Sequence, residues 1–131
     1  MLELPADIEP FLQSEHSHER IRGPAVYCLR LTRPDDLAAV WDVEFDTRPD
    51  YWDDLTDADG VLYVGSAKDL LSRLNDHANG EVRLTVLTEI CEIDDLRNVF
   101  WVDDPDRRFI EESQIATMMQ TNLPDQYVHS R

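Results

Sequence analysis

Two short stretches of the chain are rich in apolar and β-branched residues and are set off by turn-forming residues. They cover residues 25–31 and 61–65, and this composition is typical of strands on a pleated surface. A third apolar run at 98–102 ends at an Asp-Asp-Pro sequence and predicts a third, central strand. The pattern therefore predicts a small sheet of three strands.

Apolar residues at helical spacing predict two longer helices. In residues 69–78 three leucines share one face, and an Asn-Gly pair follows as a termination signal. Residues 106–121 carry a second stripe, with Asp106 available as the cap. That stripe consists of Phe109, Ile110, Ile115, Met118 and Met119. Residues 81–93 fit both a strand and a helix, and we favour the helix.

A long acidic connection, residues 32–60, lies between the first two predicted strands. A short helix is predicted over 36–41, and the rest is rich in turn residues. The first 22 residues mix acids with apolar residues at helical spacing, which predicts an arm with a short helix. The 131 residues suit a single domain, which we expect at 23–131 after the arm at 1–22.

Charge is the composition feature that changes this picture most. The chain has 28 acidic and 12 basic residues, for a net charge of −16 at pH 7. Apolar residues make up 42%, yet no run approaches the ~18 residues of a membrane span. The first ten residues hold three acids where a secretory signal needs a basic region and an apolar stretch. We therefore expect a soluble, cytoplasmic protein.

A net charge of this size bears on the working environment. Self-repulsion destabilises a small domain in dilute buffer, whereas at ~1 M salt the Debye length falls to about 3 Å and screens it. An acidic disordered tail or a nucleic-acid mimic is the alternative, but the acids are dispersed among apolar and aromatic residues. We interpret the charge as adaptation to high salt. Because such salt removes long-range attraction to nucleic acid for any protein, the low pI does not exclude nucleic-acid binding.

The cysteines and the paired histidines give little sign of a metal site. Cys28 and Cys91 are too few and too far apart for a zinc pattern, and their apolar neighbours are typical of buried thiols. His16 and His18 lack a third metal ligand nearby in the sequence, and such a pair is more often two exposed side chains than a metal site.

The most specific chemistry lies in one continuous stretch of fifteen residues, 63–77. It joins a Tyr-x-Gly strand end at Tyr63 to Arg73 on the next helix and to His77 four residues later. Residues four apart share a helix face, so these two side chains can converge beside the strand end. The stretch resembles the second half of the signature of GIY-YIG nucleases, especially phage intron-homing endonucleases.

The resemblance is looser outside that stretch. Ala25-Val26-Tyr27 stands where the family has Gly-Ile-Tyr, so alanine replaces glycine while Tyr27 keeps the phenol. The link between the two tyrosine strands is much shorter in typical members than the insertion at 32–60, which is large enough to cover the site or bind a partner. On a later helix, Glu112 resembles the family's metal-binding glutamate. Asn122 resembles its late asparagine, at a shorter spacing.

The resemblance implies an α+β fold with a three-stranded antiparallel sheet flanked by helices, and a metal-dependent endonuclease that hydrolyses DNA. It implies Mg²⁺ or Mn²⁺ on Glu112, a hard oxygen ligand suited to either ion. Tyr27 would help take the proton from water, Tyr63 would position that water or share the role of Tyr27, and Arg73 would stabilise phosphate charge. His77 would orient the phosphate or assist a tyrosine. Further substrate contacts would come from Gly65, Lys68 and Asn122.

Two other functional classes stay open. The alanine at position 25, the insertion and the absence of a DNA-reading domain suggest a catalytically weak module for nucleic-acid binding or protein assembly. If the resemblance misleads, the chain is an acidic interaction protein with an ordinary α/β core. No recognition helix or zinc finger accompanies the domain. The expected partner is therefore DNA, branched or single-stranded DNA included, with a protein partner supplying specificity.

Overall fold

The computed structural model describes residues 23–78, 87 and 90–130, without the side chains of 75, 77 and 78. The predicted arm at 1–22 lies outside the described residues. So does most of the ambiguous segment at 81–93, of which residues 87 and 90 have helical backbone and residues 92 and 93 belong to a strand.

Four strands form one mixed sheet in the order β3-β1-β2-β4. β1 (Ala25–Thr32) pairs antiparallel with β2 (Gly60–Ala67) and with β3 (Glu92–Trp101), while β4 (Gln126–Ser130) pairs parallel with β2. The α+β class is confirmed, and β3-β1-β2 is the expected antiparallel part. The count of three strands was wrong, because β4 follows the last predicted element.

The third strand also differs from its prediction. β3 begins at Glu92 instead of residue 98, and it lies at an edge of the sheet instead of its centre. Its first half is polar, and those side chains bond across to β1: Arg30 Nη1 lies 3.0 Å from Asp95 Oδ2, and Thr32 bonds Asp94. An edge strand tolerates such exposed polar residues. Because its first half has no apolar run, the sequence pattern did not predict that part of the strand.

Four α-helices have described bounds and flank the sheet. The insertion holds α1 (Leu37–Glu44) and α2 (Trp52–Asp57), and α3 (Leu70–Ala78) and α4 (Arg108–Asn122) follow the second and third strands. The helices expected at 69–78 and 106–121 are confirmed with small changes at their ends, whereas α2 was not predicted. Among the described helices, none is long and apolar enough to cross a membrane.

The short helix α2 depends on tertiary contacts. Its six residues include three aspartates, and so short a helix is marginal alone. Leu55 is fully buried, and Arg33 Nη1 donates to the carbonyl oxygens of Leu55 at 2.7 Å and Thr56 at 3.2 Å. Packing and a cation at its last carbonyls therefore stabilise α2.

Each face of the sheet carries its own apolar core. We call the first the tyrosine face, where Tyr27 and Tyr63 pack with α3 and with the insertion residues Trp41 and Leu55. On the second face, α4 packs with Ala116 and Met119 against Val26, Cys28, Leu62 and Val64. The insertion is therefore part of the main core and covers the tyrosines.

Helix α4 turns inward only part of the face that its sequence predicted, since Met119 is buried and Ile115 packs against the core. The buried residues are Glu112, Ala116 and Met119, at the i, i+4 and i+7 spacing of one helix face. Phe109 and Ile110 from the predicted stripe are 40% and 52% exposed. The predicted cap was also wrong. A 3₁₀ turn, Pro105–Arg107, precedes α4, the Asp104 side chain accepts from the backbone N–H of Asp106 at 3.0 Å, and no side chain caps α4.

Candidate functional site

Two tyrosines from the central strands meet on one face of the sheet. Tyr27 lies opposite Gly65, and Tyr63 lies opposite Leu29, so both phenols project from the same side. Their ring centroids are 6.3 Å apart with the planes at 62°, an edge-to-face contact. Tyr27 is 0% and Tyr63 1% exposed. The predicted adjacency of the tyrosine strands is therefore confirmed, and both hydroxyls lie in the interior.

Gly65 has a steric reason to lack a side chain. A Cβ there would lie 2.6 Å from the Tyr27 hydroxyl oxygen, 2.7 Å from its Cζ and 3.0 Å from Tyr63 Cε1. The Tyr27 ring thus crosses β2 directly over this glycine. Gly65 was singled out as a substrate contact, which stays a prediction. Its packing role is independent of any substrate.

The electrostatics of Tyr27 bring two further predicted residues to the pair. Burial raises the pKa of the Tyr27 hydroxyl most, and Tyr63 and Glu112 raise it further, whereas Arg73 lowers it. A hydrogen bond with the Tyr63 side chain also raises the Tyr27 pKa. Neighbouring charges shift a pKa in this way, because an opposite charge favours the ionised form and a like charge disfavours it. The four side chains therefore form one cluster, drawn from β1, β2, α3 and α4.

Glu112 is the exceptional member of this cluster. It is 4% exposed and is the single buried charged side chain among the described residues. Removing a carboxylate from water is costly unless nearby groups compensate. Buried ionisable groups with specific charged neighbours are concentrated at functional sites, so Glu112 is the feature that most distinguishes this cluster from ordinary core packing.

A surface cleft opens beside the cluster. Its volume is about 360 Å³, and its lining includes three cations, Lys68, Arg73 and Arg108, which define what we call the cationic cleft. Asp69 and Asp76 also line it. The carboxylate of Asp69 accepts from the backbone N–H of Gly23 and from Ser72 Oγ, both at 3.0 Å. Three cations thus share one cleft in a chain whose net charge is −16.

Of the remaining predicted residues, Asn122 is not brought into this cluster, and His77 is described only by its backbone. Asn122 is exposed at the last position of α4, and ten residues of helix separate it from Glu112 by about 15 Å. The backbone of His77 lies in α3 four residues after Arg73, as the motif requires, but its side chain lies outside the described residues.

His129 was missed by the sequence reasoning and lies beside the cluster. It pairs with Tyr63 across β2 and β4, and their ring centroids are 6.5 Å apart. Its Nδ1 lies 2.8 Å from the Tyr127 hydroxyl oxygen, and the Tyr51 ring lies 5.1 Å away. Burial lowers the pKa of His129. The only advance signal was the adjacent pair Tyr127 and Val128 after the helix, since both residue types favour strands.

The donor set at the cluster limits how a divalent metal could be held. Among the described residues, no group of three His, Cys, Asp or Glu side chains converges. Glu112 offers hard carboxylate oxygen atoms, which suit Mg²⁺ and Mn²⁺, and such ions are often held by one carboxylate with waters and substrate oxygens. The residues present fit that mode of binding and do not fit a site built wholly from protein ligands.

Comparison with family models, curated proteins and solved structures finds no match to this chain. The assignment of a function therefore depends on the residues themselves and on their arrangement.

Proposed function

We propose that the chain is a metal-dependent endonuclease that hydrolyses DNA phosphodiester bonds with a GIY-YIG arrangement of side chains. One observation carries the proposal: Tyr27, Tyr63, Arg73 and Glu112 come from four elements and interact around the Tyr27 hydroxyl. An acidic interaction protein with an ordinary core gives no reason to bury Glu112 where it acts on Tyr27, because a buried carboxylate is costly.

The cations of the cleft suit the substrate. Arg73 links the cleft to the cluster, because it lines the cleft and lowers the pKa of Tyr27 in the cluster. A guanidinium binds phosphate oxygens in two-point contacts, and fixed cations stabilise the charge that grows on phosphate during displacement. When bound at Glu112, Mg²⁺ or Mn²⁺ supplies further charge neutralisation and a more acidic water.

The protonation state of Tyr27 constrains its role. Because burial, Tyr63 and Glu112 raise its pKa, the Tyr27 hydroxyl keeps its proton at neutral pH. In this state it orients water or phosphate through hydrogen bonds and does not remove a proton. Arg73 is the group that lowers this pKa, so ionisation of Tyr27 during catalysis depends on Arg73.

The burial of both phenols favours a second candidate, a catalytically weak module that binds nucleic acid or protein. Tyr27 and Tyr63 expose 0% and 1% of their surface, and a phosphate reaches neither hydroxyl unless the residues covering them move. The endonuclease therefore requires an opening step, whereas the module functions with the tyrosines closed off.

Cleavage assays distinguish the two candidates. The protein is incubated with supercoiled plasmid and with branched DNA at about 1–2 M KCl, where repulsion is screened, with Mg²⁺, Mn²⁺ or EDTA. We expect metal-dependent nicking that falls by about 100-fold or more in Arg73→Ala and Glu112→Gln. The matched controls are Glu111→Gln, the adjacent glutamate, and Arg48→Ala, an exposed arginine paired with Asp42.

Each result assigns one candidate. Nicking lost in Glu112→Gln and kept in Glu111→Gln supports the endonuclease. DNA binding without any metal-dependent cleavage by the folded wild type supports the module. Cleavage that is the same in Glu112→Gln and Glu111→Gln contradicts the proposed site, because the activity then comes from elsewhere.

A further inference from the structure

Trp101 is a large apolar side chain in an unusual position. It ends β3 with 51% of its surface exposed. It pairs with Ala25 on β1, and Ala25 pairs with Ala67 on β2. Paired residues project from the same side of a sheet, and Ala25 is two residues from Tyr27, so Trp101 belongs to the tyrosine face.

The row Trp101, Ala25, Ala67 leads directly to the cationic cleft. Ala67 is one of the residues that line the cleft. Neighbouring strands lie about 4.8 Å apart, so the backbone of Trp101 is about 10 Å from that of Ala67 across the width of β1. The aromatic side chain and the cleft therefore lie side by side on one face of the sheet.

Backbone hydrogen bonds fix Trp101 relative to the cleft. The N–H of Val102 donates to the carbonyl oxygen of Pro24 at 3.0 Å. The N–H of Gly23 donates to Asp69 Oδ1 at 3.0 Å, and Asp69 lines the cleft. The dipeptide Gly23-Pro24 therefore bridges the strand that carries Trp101 and the helix start that forms the cleft wall.

Arg108 also lines the cleft and is held in a defined orientation. Its guanidinium carbon lies 4.2 Å from the centroid of the Phe109 ring, and its Nη1 donates to the carbonyl oxygen of Pro105 at 2.8 Å. A guanidinium stacked on a ring and bonded at one end loses less freedom when its other donors bind phosphate. This cation therefore suits an extended anion beside the tyrosine face.

An exposed indole beside fixed cations matches the two chemical parts of a nucleotide. We infer that Trp101 stacks on an unpaired nucleobase of a DNA strand whose phosphates lie in the cationic cleft. Unpaired bases are required, because a duplex keeps its base faces stacked on one another. This inference rests on the proposed function for the identity of the ligand, and it assigns the substrate class: DNA with a single-stranded segment.

The net charge of −16 adds to the case for stacking. Phosphate contacts weaken steeply as salt rises, and the acidic chain repels a polyanion at low salt. Base stacking on an aromatic side chain does not depend on charge. Stacking at Trp101 therefore supplies affinity at high salt, where the repulsion between this acidic chain and DNA is screened.

Binding measured without cleavage tests the inference. Fluorescence anisotropy in EDTA compares a labelled single strand of about 12 nucleotides with the blunt duplex of the same sequence. The variants are Trp101→Ala, Trp101→Phe and the control Val43→Ala, which removes an 83% exposed apolar side chain from α1. We expect Trp101→Ala to weaken single-strand binding between about 5-fold and about 150-fold. Trp101→Phe keeps most of the affinity, and duplex binding does not change.

Salt separates stacking from charge. The Trp101→Ala effect should be the same factor at about 0.2 M and about 2 M KCl, whereas the effect of Arg108→Gln should shrink with salt. Photocrosslinking of 5-iodouracil-substituted single strand to the wild type, with the crosslink mapped to Trp101, supports the inference without any variant. Crosslinks confined to other residues, or equal affinity of Trp101→Ala and Val43→Ala, would overturn it.

The outcome is independent of cleavage. Because EDTA prevents metal-dependent hydrolysis, a stacking result stands even if no nuclease activity exists. Conversely, metal-dependent nicking that needs Glu112, together with unchanged binding by Trp101→Ala, removes this inference and leaves the proposed function in place.

Discussion

Replacing Gly65 with alanine probes the closest contact in the candidate site. The added Cβ would lie 2.6 Å from the Tyr27 hydroxyl oxygen and 2.7 Å from Cζ, about 1 Å short of the ~3.5–4.0 Å optimum for non-bonded carbon atoms. Tyr27 is fully buried, so its ring has no open space to enter. Either the ring or strand β2 must move by about 1 Å in a close-packed interior.

Two magnitudes follow from that displacement. Forcing an extra methyl into a well-packed core costs about 1–3 kcal/mol of unfolding free energy. A reacting group misplaced by about 1 Å loses up to about 100-fold in rate. We therefore expect Gly65→Ala to remain folded at a lower denaturant midpoint and to lose most nicking activity.

Gly60→Ala is the matched control. It lies in the same strand, and its added Cβ would meet the side-chain end of the half-buried Gln126, which can rotate away. We expect a change within about 0.5 kcal/mol and wild-type nicking. Denaturant unfolding and single-turnover cleavage measure both variants. If Gly65→Ala is as stable and as active as Gly60→Ala, the contact with Tyr27 does not organise the site.

Four further outcomes test separate parts of the account. Leu55→Ala should lower the unfolding free energy by about 2–5 kcal/mol, because Leu55 is fully buried. Val43→Ala should lower it by less than about 0.5 kcal/mol, because Val43 is 83% exposed. Equal effects would place the insertion outside the core. Burial lowers the pKa of His129 below its ordinary 6.5, so the unfolded chain binds the proton more readily and stability should fall as pH drops through and below that value. The denaturant midpoint of His129→Gln should vary less with pH in this range, and an unchanged slope would refute the assignment. Burial raises the pKa of the Cys28 thiol to about 12, so a thiol reagent should reach it only at the rate of unfolding, and fast labelling of the native protein would contradict its burial. For the proposed adaptation to high salt, the melting temperature should rise between about 0.1 M and about 2 M KCl, and a flat or falling curve would count against it.

The parts of the fold that sequence predicted are those with local, uninterrupted patterns. β1 and β2 are central strands with almost wholly apolar sequences, and the leucines of α3 have unbroken helical spacing. For these elements burial and local propensity agree, so a reader of the sequence needs no tertiary information. The pairing of the strands that carry Tyr27 and Tyr63 was expected from the resemblance to GIY-YIG nucleases and not from a local pattern.

The missed elements depend on contacts that no local pattern records. β4 has only five residues, all of them partly buried, and it is a strand because β2 offers it an edge. Helix α2 needs Arg33 at its carboxyl end and Leu55 in the core. In both cases tertiary packing decides the structure where propensity is weak.

The buried face of α4 was predicted wrongly in part because it contains the candidate site residue Glu112, which is charged. Hydrophobicity favoured burying Phe109 and Ile110, which are exposed, over Glu112, which is buried. The helix is turned so that a carboxylate is buried and a pair of apolar side chains is exposed. Local rules fail most often at functional sites, where chemistry and packing compete. His129 was missed for a different reason, because it reaches Tyr63 only through the unpredicted strand β4.

The central claim is that Tyr63, Arg73 and Glu112 act as one site on phosphodiester bonds. Single-turnover nicking of plasmid by Tyr63→Phe, Arg73→Gln and the double variant, with Mn²⁺ in molar KCl, tests it most directly. Residues that act as a unit are strongly non-additive. We predict that the nicking rate of each single variant falls by about 100-fold or more. The double variant should be no slower than the slower of the two single variants. Full activity in either single variant, or losses that multiply in the double variant, would contradict the claim.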